Sequence, residues 1–171
     1  MQSLVSTNER TFPLQGWEYI TIIDLGPKCG HCACCGTAIR YVHHISHAEY
    51  GAIGVDCECA DRLTGSQAAS ENEGKAKKLV KRKERYMNSP KWESHKNGMF
   101  FELDGYCIRI WCHDTYFNLE IGFMVRKESN GFIHYEFLKS KRRYYSAWDA
   151  KEKAFDVITS GRLLKYIESR K

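Results

Sequence analysis

Six of the eight cysteines and four of the seven histidines fall within residues 29–63, CGHCACCGTAIRYVHHISHAEYGAIGVDCECADRL. Thiolate and imidazole are ligands that zinc prefers. Two ligand pairs joined by a short connection close a tetrahedral structural site, whose binding energy becomes folding energy. Within Cys32-Ala33-Cys34-Cys35-Gly36 lies a C-x-x-C-G turn. Two side chains there converge on one ion, and glycine accepts the positive φ that follows a tight knuckle. Cys32 and Cys35 are therefore the first expected ligand pair. Cys29, three residues ahead of Cys32, offers a competing register, and Cys34 reads as a spectator. The second expected pair is Cys57 and Cys59, leading into a helical turn at residues 59–63 whose amino-terminal dipole favours thiolate. A C-x-C pair shares one face only in extended backbone. A histidine, His43, His44 or His47, is thus the alternative for one position. The expected cofactor is one structural Zn2+.

Positioning these side chains requires a small scaffold. Residues 16–25 form a β-branched and aromatic run ended by Gly26-Pro27, which predicts a strand delivering the chain to the first cysteines. Residues 37–42 and 52–55 read as two further strands around a turn at Glu49-Tyr50-Gly51. Knuckle, hairpin and ligand-bearing helix start make a treble-clef-like zinc module over residues 12–66. Residues 67–90 then read as a basic helical linker, with a charge-rich helix over 75–86 ended by Asn88-Ser89-Pro90.

Residues 91–171 read as a second unit. Ile108, Ile110 and Cys112 share one face of a strand; Phe117, Leu119, Ile121, Phe123 and Val125 share one face of the next. Short strands at 99–103, turned by Asp104-Gly105, and at 132–138 complete a meander of three to four antiparallel strands. Ser146 is placed to cap a helix over 147–159, stopped by Ser160-Gly161, with a short amphipathic helix after it. The fold class expected is α+β: a zinc module, then an antiparallel sheet with a covering helix.

A chain of 171 residues, 43% apolar and 13% aromatic, is globular and large enough for one or two small domains. Its net charge of +5 favours an acidic partner. No basic, apolar leader opens the sequence and no apolar run reaches about eighteen residues, so no membrane span is expected. Clustered cysteines at metal-ligand spacing fit a reducing, cytoplasmic setting.

Three resemblances accompany this reading. The pattern C-x-x-C-G, I-R-Y-V-H, C-A and L, carried by Cys32, Cys35, Gly36, residues 39–43, Cys59, Ala60 and Leu63, resembles uncharacterised small zinc-binding proteins of bacteria and phages. It implies a mobile-element context. The knuckle followed by His43-His44 also resembles part of an HNH nuclease, which implies His43 or His44 as a base activating water. Here the gap from knuckle to histidine is shorter than in that family, and Asp61 and Arg62 stand where its further residues are sought. The sheet followed by a helix such as SAWDAKEKAFDVI is similar in topology to AP2-type and integrase amino-terminal DNA-binding domains. That likeness implies groove contacts from Arg109 and Trp111, on the strand face opposite the apolar one.

The function expected is non-catalytic nucleic-acid binding, DNA favoured. Clustered cations gain affinity by releasing counterions from phosphates, and Lys77, Lys78, Lys81, Arg82 and Arg85 on the basic helix are the first candidates. Arg142 and Arg143, close to Tyr144 and Tyr145, combine phosphate contact with rings that can stack on bases. The alternatives are a protein-binding adaptor or defence regulator, and an HNH-like metal-dependent nuclease.

Overall fold

The computed structural model describes residues 4–7, 10–27 and 30–169. The chain divides into two units, 1–80 and 81–171. The helix expected as a linker gives residues to both.

In the first unit, β1 (Leu4–Thr7) and β2 (Arg10–Pro13) pair antiparallel. A second antiparallel sheet has the order β3 (Trp17–Asp24), β6 (Tyr41–His47), β7 (Gly51–Val55). The expected strand at 37–42 divides in two. Residues Ala38–Ile39 form β5, which pairs with β4 (Gly30–His31), while the chain from Tyr41 onward becomes the central strand β6. Tyr41, His43 and Ile45 on β6 point inward by simple alternation. They are followed by α1 (Cys57–Thr64) and α2 (Ala68–Met87). Trp17, Ile39, Ile45, Val55, Ala60 and Leu63 make most of the core.

One member of that interior is polar. His43 is fully buried, with Nδ1 3.2 Å from the Tyr19 hydroxyl and Nε2 2.9 Å from a Glu73 oxygen on α2. The other Glu73 oxygen meets Lys77 at 2.6 Å. A buried imidazole left without partners would cost the unit its desolvation, so this network fixes α2 to the sheet. Asp61 holds the start of the same helix, accepting the backbone N–H groups of Ala69 at 2.9 Å and Ser70 at 3.2 Å.

The second unit has more strands than expected. β8 (Glu93–His95), β9 (Gly98–Leu103), β10 (Tyr106–Cys112), β11 (Phe117–Lys127) and β12 (Ile133–Lys139) form one antiparallel meander in the order β12-β11-β10-β9-β8. Asp104 and Gly105, both at positive φ, turn β9 into β10 as the sequence predicts. Ile108, Ile110, Leu119 and Ile121 are buried with Ala150, Ala154, Phe155 and Ile158 of α3 (Ala147–Thr159). Ser146 caps α3 through a 3.0 Å bond from the Asp149 N–H, and α4 (Arg162–Glu168) follows. Among the described residues no helix is long and apolar enough to cross a membrane.

Burial works against ionisation of Glu73, but hydrogen bonds from Lys77 and His43 outweigh it and hold the carboxyl below its ordinary value of 4.5. A depressed carboxyl stabilises the fold above its unfolded pKa, and that contribution fades as pH falls through the folded value. Glu73→Ala should therefore cost about 1–3 kcal/mol at pH 7 in urea unfolding. The exposed control Glu71→Ala should stay within about 0.5 kcal/mol. The gap between the two variants should narrow below pH 4.5.

Candidate metal centre

The turn between β4 and β5 carries Cys32 to Cys35, closed by Cys32 N–H to the Thr37 carbonyl at 2.9 Å and Gly36 N–H to the Cys32 carbonyl at 2.9 Å. Gly36 has φ +74°, the left-handed conformation expected after the knuckle. Across from it, α1 begins. Asp56 is its N-cap, in extended conformation, with Oδ1 accepting the Cys59 N–H at 2.7 Å. The other oxygen, Oδ2, lies 2.9 Å from the Cys35 sulfur.

This geometry gathers Cys32, Cys35, Asp56 and Cys59, whose ligand atoms all lie within 4.8 Å of one another. Tetrahedral ligands about 2.3 Å from an ion stand about 3.8 Å apart, so the group fits a four-coordinate divalent metal. Cys32 and Cys59 are buried, Asp56 is half-buried and Cys35 is exposed.

Three of the four ligands expected from the sequence are in this group. The fourth, Cys57, is not; Asp56 is there in its place. Cys57 occupies the first position of α1, half-buried, and its thiol is pushed up by burial and by the Glu73 carboxylate beside it. The overlooked signal is Asp56-x-x-Cys59, which repeats the spacing of Cys32-x-x-Cys35 with a carboxylate for one thiol. Cys29 lies outside the described residues. His43 is engaged in the core, His44 faces the opposite side of β6, and the His47 ring lies against Trp17 and Tyr50 at 5.2 Å and 5.1 Å. None of these histidines belongs to the group.

Burial, with the Asp56 carboxylate beside it, pushes the Cys32 thiol up to about 11 and raises Cys59 as well. Asp56 is also desolvated, but hydrogen bonds from the Cys32 and Cys35 thiols hold it at about 2. The Cys32 and Cys35 thiols thus share the Asp56 carboxylate. Arg62 sits beside them, Nη2 3.4 Å from the sulfur of buried Cys34 and 3.5 Å from that of Cys59.

The residues expected to touch nucleic acid are distributed unevenly. On α2, Lys77 is paired with Glu73 and Arg82 with Asp104. Lys78, Lys81 and Arg85 are exposed and form no ion pair among the described residues. On β10, the Arg109 guanidinium lies 3.6 Å from the Phe137 ring centroid and Trp111 Nε1 donates to Glu120 at 2.9 Å. Both are on the strand face opposite α3, as expected, but engaged by their sheet neighbours. Arg142 and Arg143 lie in the exposed connection from β12 to α3. The Arg143 guanidinium covers Tyr116 at 4.6 Å, and Tyr116 stacks on His113 at 4.5 Å and 19°.

No family model, curated protein or solved structure matches this chain.

The four-residue group makes distinct predictions for the purified protein. Cys57→Ser should retain one zinc per chain by elemental analysis, whereas Cys35→Ser should lose metal or bind it at least about 100-fold more weakly. Because three thiol protons leave on binding, zinc affinity measured by chelator competition should fall steeply as pH is lowered from 8 to 6.

Proposed function

We propose that this protein is a non-catalytic, zinc-stabilised nucleic-acid-binding protein whose amino-terminal unit is a treble-clef-like module. A sulfur-rich tetrahedral donor set suits zinc, and four protein ligands leave no open position for chemistry. The HNH-like alternative needs a histidine that meets water. His43 has both ring nitrogens engaged inside the core, which speaks against it as a base.

The observation that carries the nucleic-acid reading is the stack of Arg143, Tyr116 and His113 beside Tyr145, which is 81% exposed. Lys141, Arg142 and Arg143 are exposed there without an ion pair among the described residues. Cations without an ion pair among the described residues, close in sequence to the exposed Tyr145 ring, suit a single strand whose bases can stack. Groove reading by Arg109 and Trp111 is less favoured, because the Arg109 Nε is buried beside Phe137 and the Trp111 Nε1–H is already donated to Glu120. The exposed cations Lys78, Lys81 and Arg85 of α2 add phosphate contacts without sequence information. DNA and RNA both satisfy this chemistry.

Fluorescence anisotropy with labelled single-stranded DNA, single-stranded RNA and duplex DNA across a salt series tests the reading. Single strands should bind more tightly than duplex, with affinity falling steeply as salt rises. Arg143→Glu should weaken binding about tenfold or more at low salt and flatten the salt slope. Tyr145→Ala should cost a single strand at least about fivefold without moving the melting temperature. Absence of binding by all three probes at low salt sinks the proposal and favours a protein partner instead.

A further inference from the structure

The second unit contains a groove of about 400 Å³ between the β11–β12 side of its sheet and the pair α3–α4. Its floor and walls are Leu119, Ile121, Leu138, Val157 and Leu163. Two cations from different helices stand at its edge, Lys153 on α3 and Arg162 at the start of α4. Both are exposed, and neither forms an ion pair among the described residues. Among the described residues no aspartate or glutamate lines the groove. Inside, the Tyr144 and Ser140 hydroxyls bond to each other at 3.1 Å.

We infer that this groove binds a small organic anion, an acyl chain carrying one carboxylate. Its volume is in the range of small-molecule sites, which combine apolar walls with a few polar groups that fix orientation. The apolar walls gain by removing a hydrocarbon from water. Lys153 and Arg162, both lining the groove without an ion pair among the described residues, select the charge of the head group, since an ionised oxygen acceptor strengthens each hydrogen bond. A neutral ligand would leave that selection unused, and a cationic one would oppose it. Lys153 and Val157 are one helical turn apart, so the head-group contact and the apolar wall are adjacent on α3. This site is separate from the Arg143 stack and does not depend on the nucleic-acid reading.

Calorimetric titration with decanoate, decanol and decylamine tests the inference on the full chain. Decanoate should bind saturably at one site, about tenfold more tightly than decanol, and decylamine least well. Lys153→Gln and Arg162→Gln, both at exposed positions, should each weaken decanoate about three- to tenfold while leaving decanol unchanged. Val157→Trp should block all three ligands. Equal affinity for the three head groups, no saturable binding of decanoate, or undiminished binding in the double variant K153Q/R162Q would each overturn it.

Discussion

One carboxylate does two structural tasks, and the first unit depends on both. Asp56 caps α1 through one oxygen and meets the Cys35 sulfur with the other. The cap alone is worth about 1 kcal/mol. A structural zinc ion on the same group is worth about 10 kcal/mol or more at neutral pH. The strands flanking the knuckle, Gly30–His31 and Ala38–Ile39, are only two residues long each. Such a hairpin is marginal by itself. A metal ion held by Cys32, Cys35, Asp56 and Cys59 would cross-link the knuckle to the helix start and give this short hairpin a fixed place in its unit.

Charge balance explains what surrounds the group. Three thiolates and a carboxylate exceed the charge of a divalent ion by two. The amino-terminal end of α1 offsets part of that excess, since it carries the positive end of the helix dipole and its Cys59 N–H is donated to Asp56. Arg62, one turn further along α1, supplies a full positive charge within 3.5 Å of the Cys59 sulfur. Partners just outside a metal's ligands tune their basicity and fix their orientation. Cys34, buried beside the same guanidinium, behaves as a small apolar side chain with a weak acceptor.

Where a local rule determines the backbone, the sequence is legible. Cys32-x-x-Cys35-Gly36 encodes its knuckle, Asp104-Gly105 its hairpin turn, and Ser146 the start of α3. The alternation of Ile108 with Ile110 and of Leu119 with Ile121 identifies the face that packs on α3. Two other features depend on chain-distant partners. β8 is three exposed residues without alternation, and it is a strand because β9 presents an open edge to it. The start of α2 at Ala68 is set by Asp61, a side chain in the preceding helix. The second ligand pair was obscured for another reason. At a helix start, the side chain of the N-cap turns back toward the N–H of the third helical residue. Asp56 and Cys59 occupy those positions, so the geometry that caps the helix also brings these two members of the group together. Cys57, the thiol expected from spacing, sits half-buried at the first helical position, and its sulfur is not in the group.

The cations of the second unit divide by what they touch. Arg109 has a buried Nε with no hydrogen-bond partner among the described residues, beneath the face of Phe137. Phe137 can lie across the sheet because its cross-strand neighbour is Gly122; a Cβ there would come within 2.5 Å of the ring. Glycine, ring and guanidinium therefore form one packed arrangement, in which the ring's negative face compensates a desolvated cation. Moving Arg109 out to meet a phosphate would forfeit this contact and leave Phe137 without its partner. Arg143 has a different balance: its ring partner, Tyr116, is only half-buried, and its connection from β12 to α3 is exposed. A phosphate can approach that guanidinium while the stack stays in place. The positive charge that sequence composition shows only as a total thus separates into a structural share on the sheet and an available share on the loop.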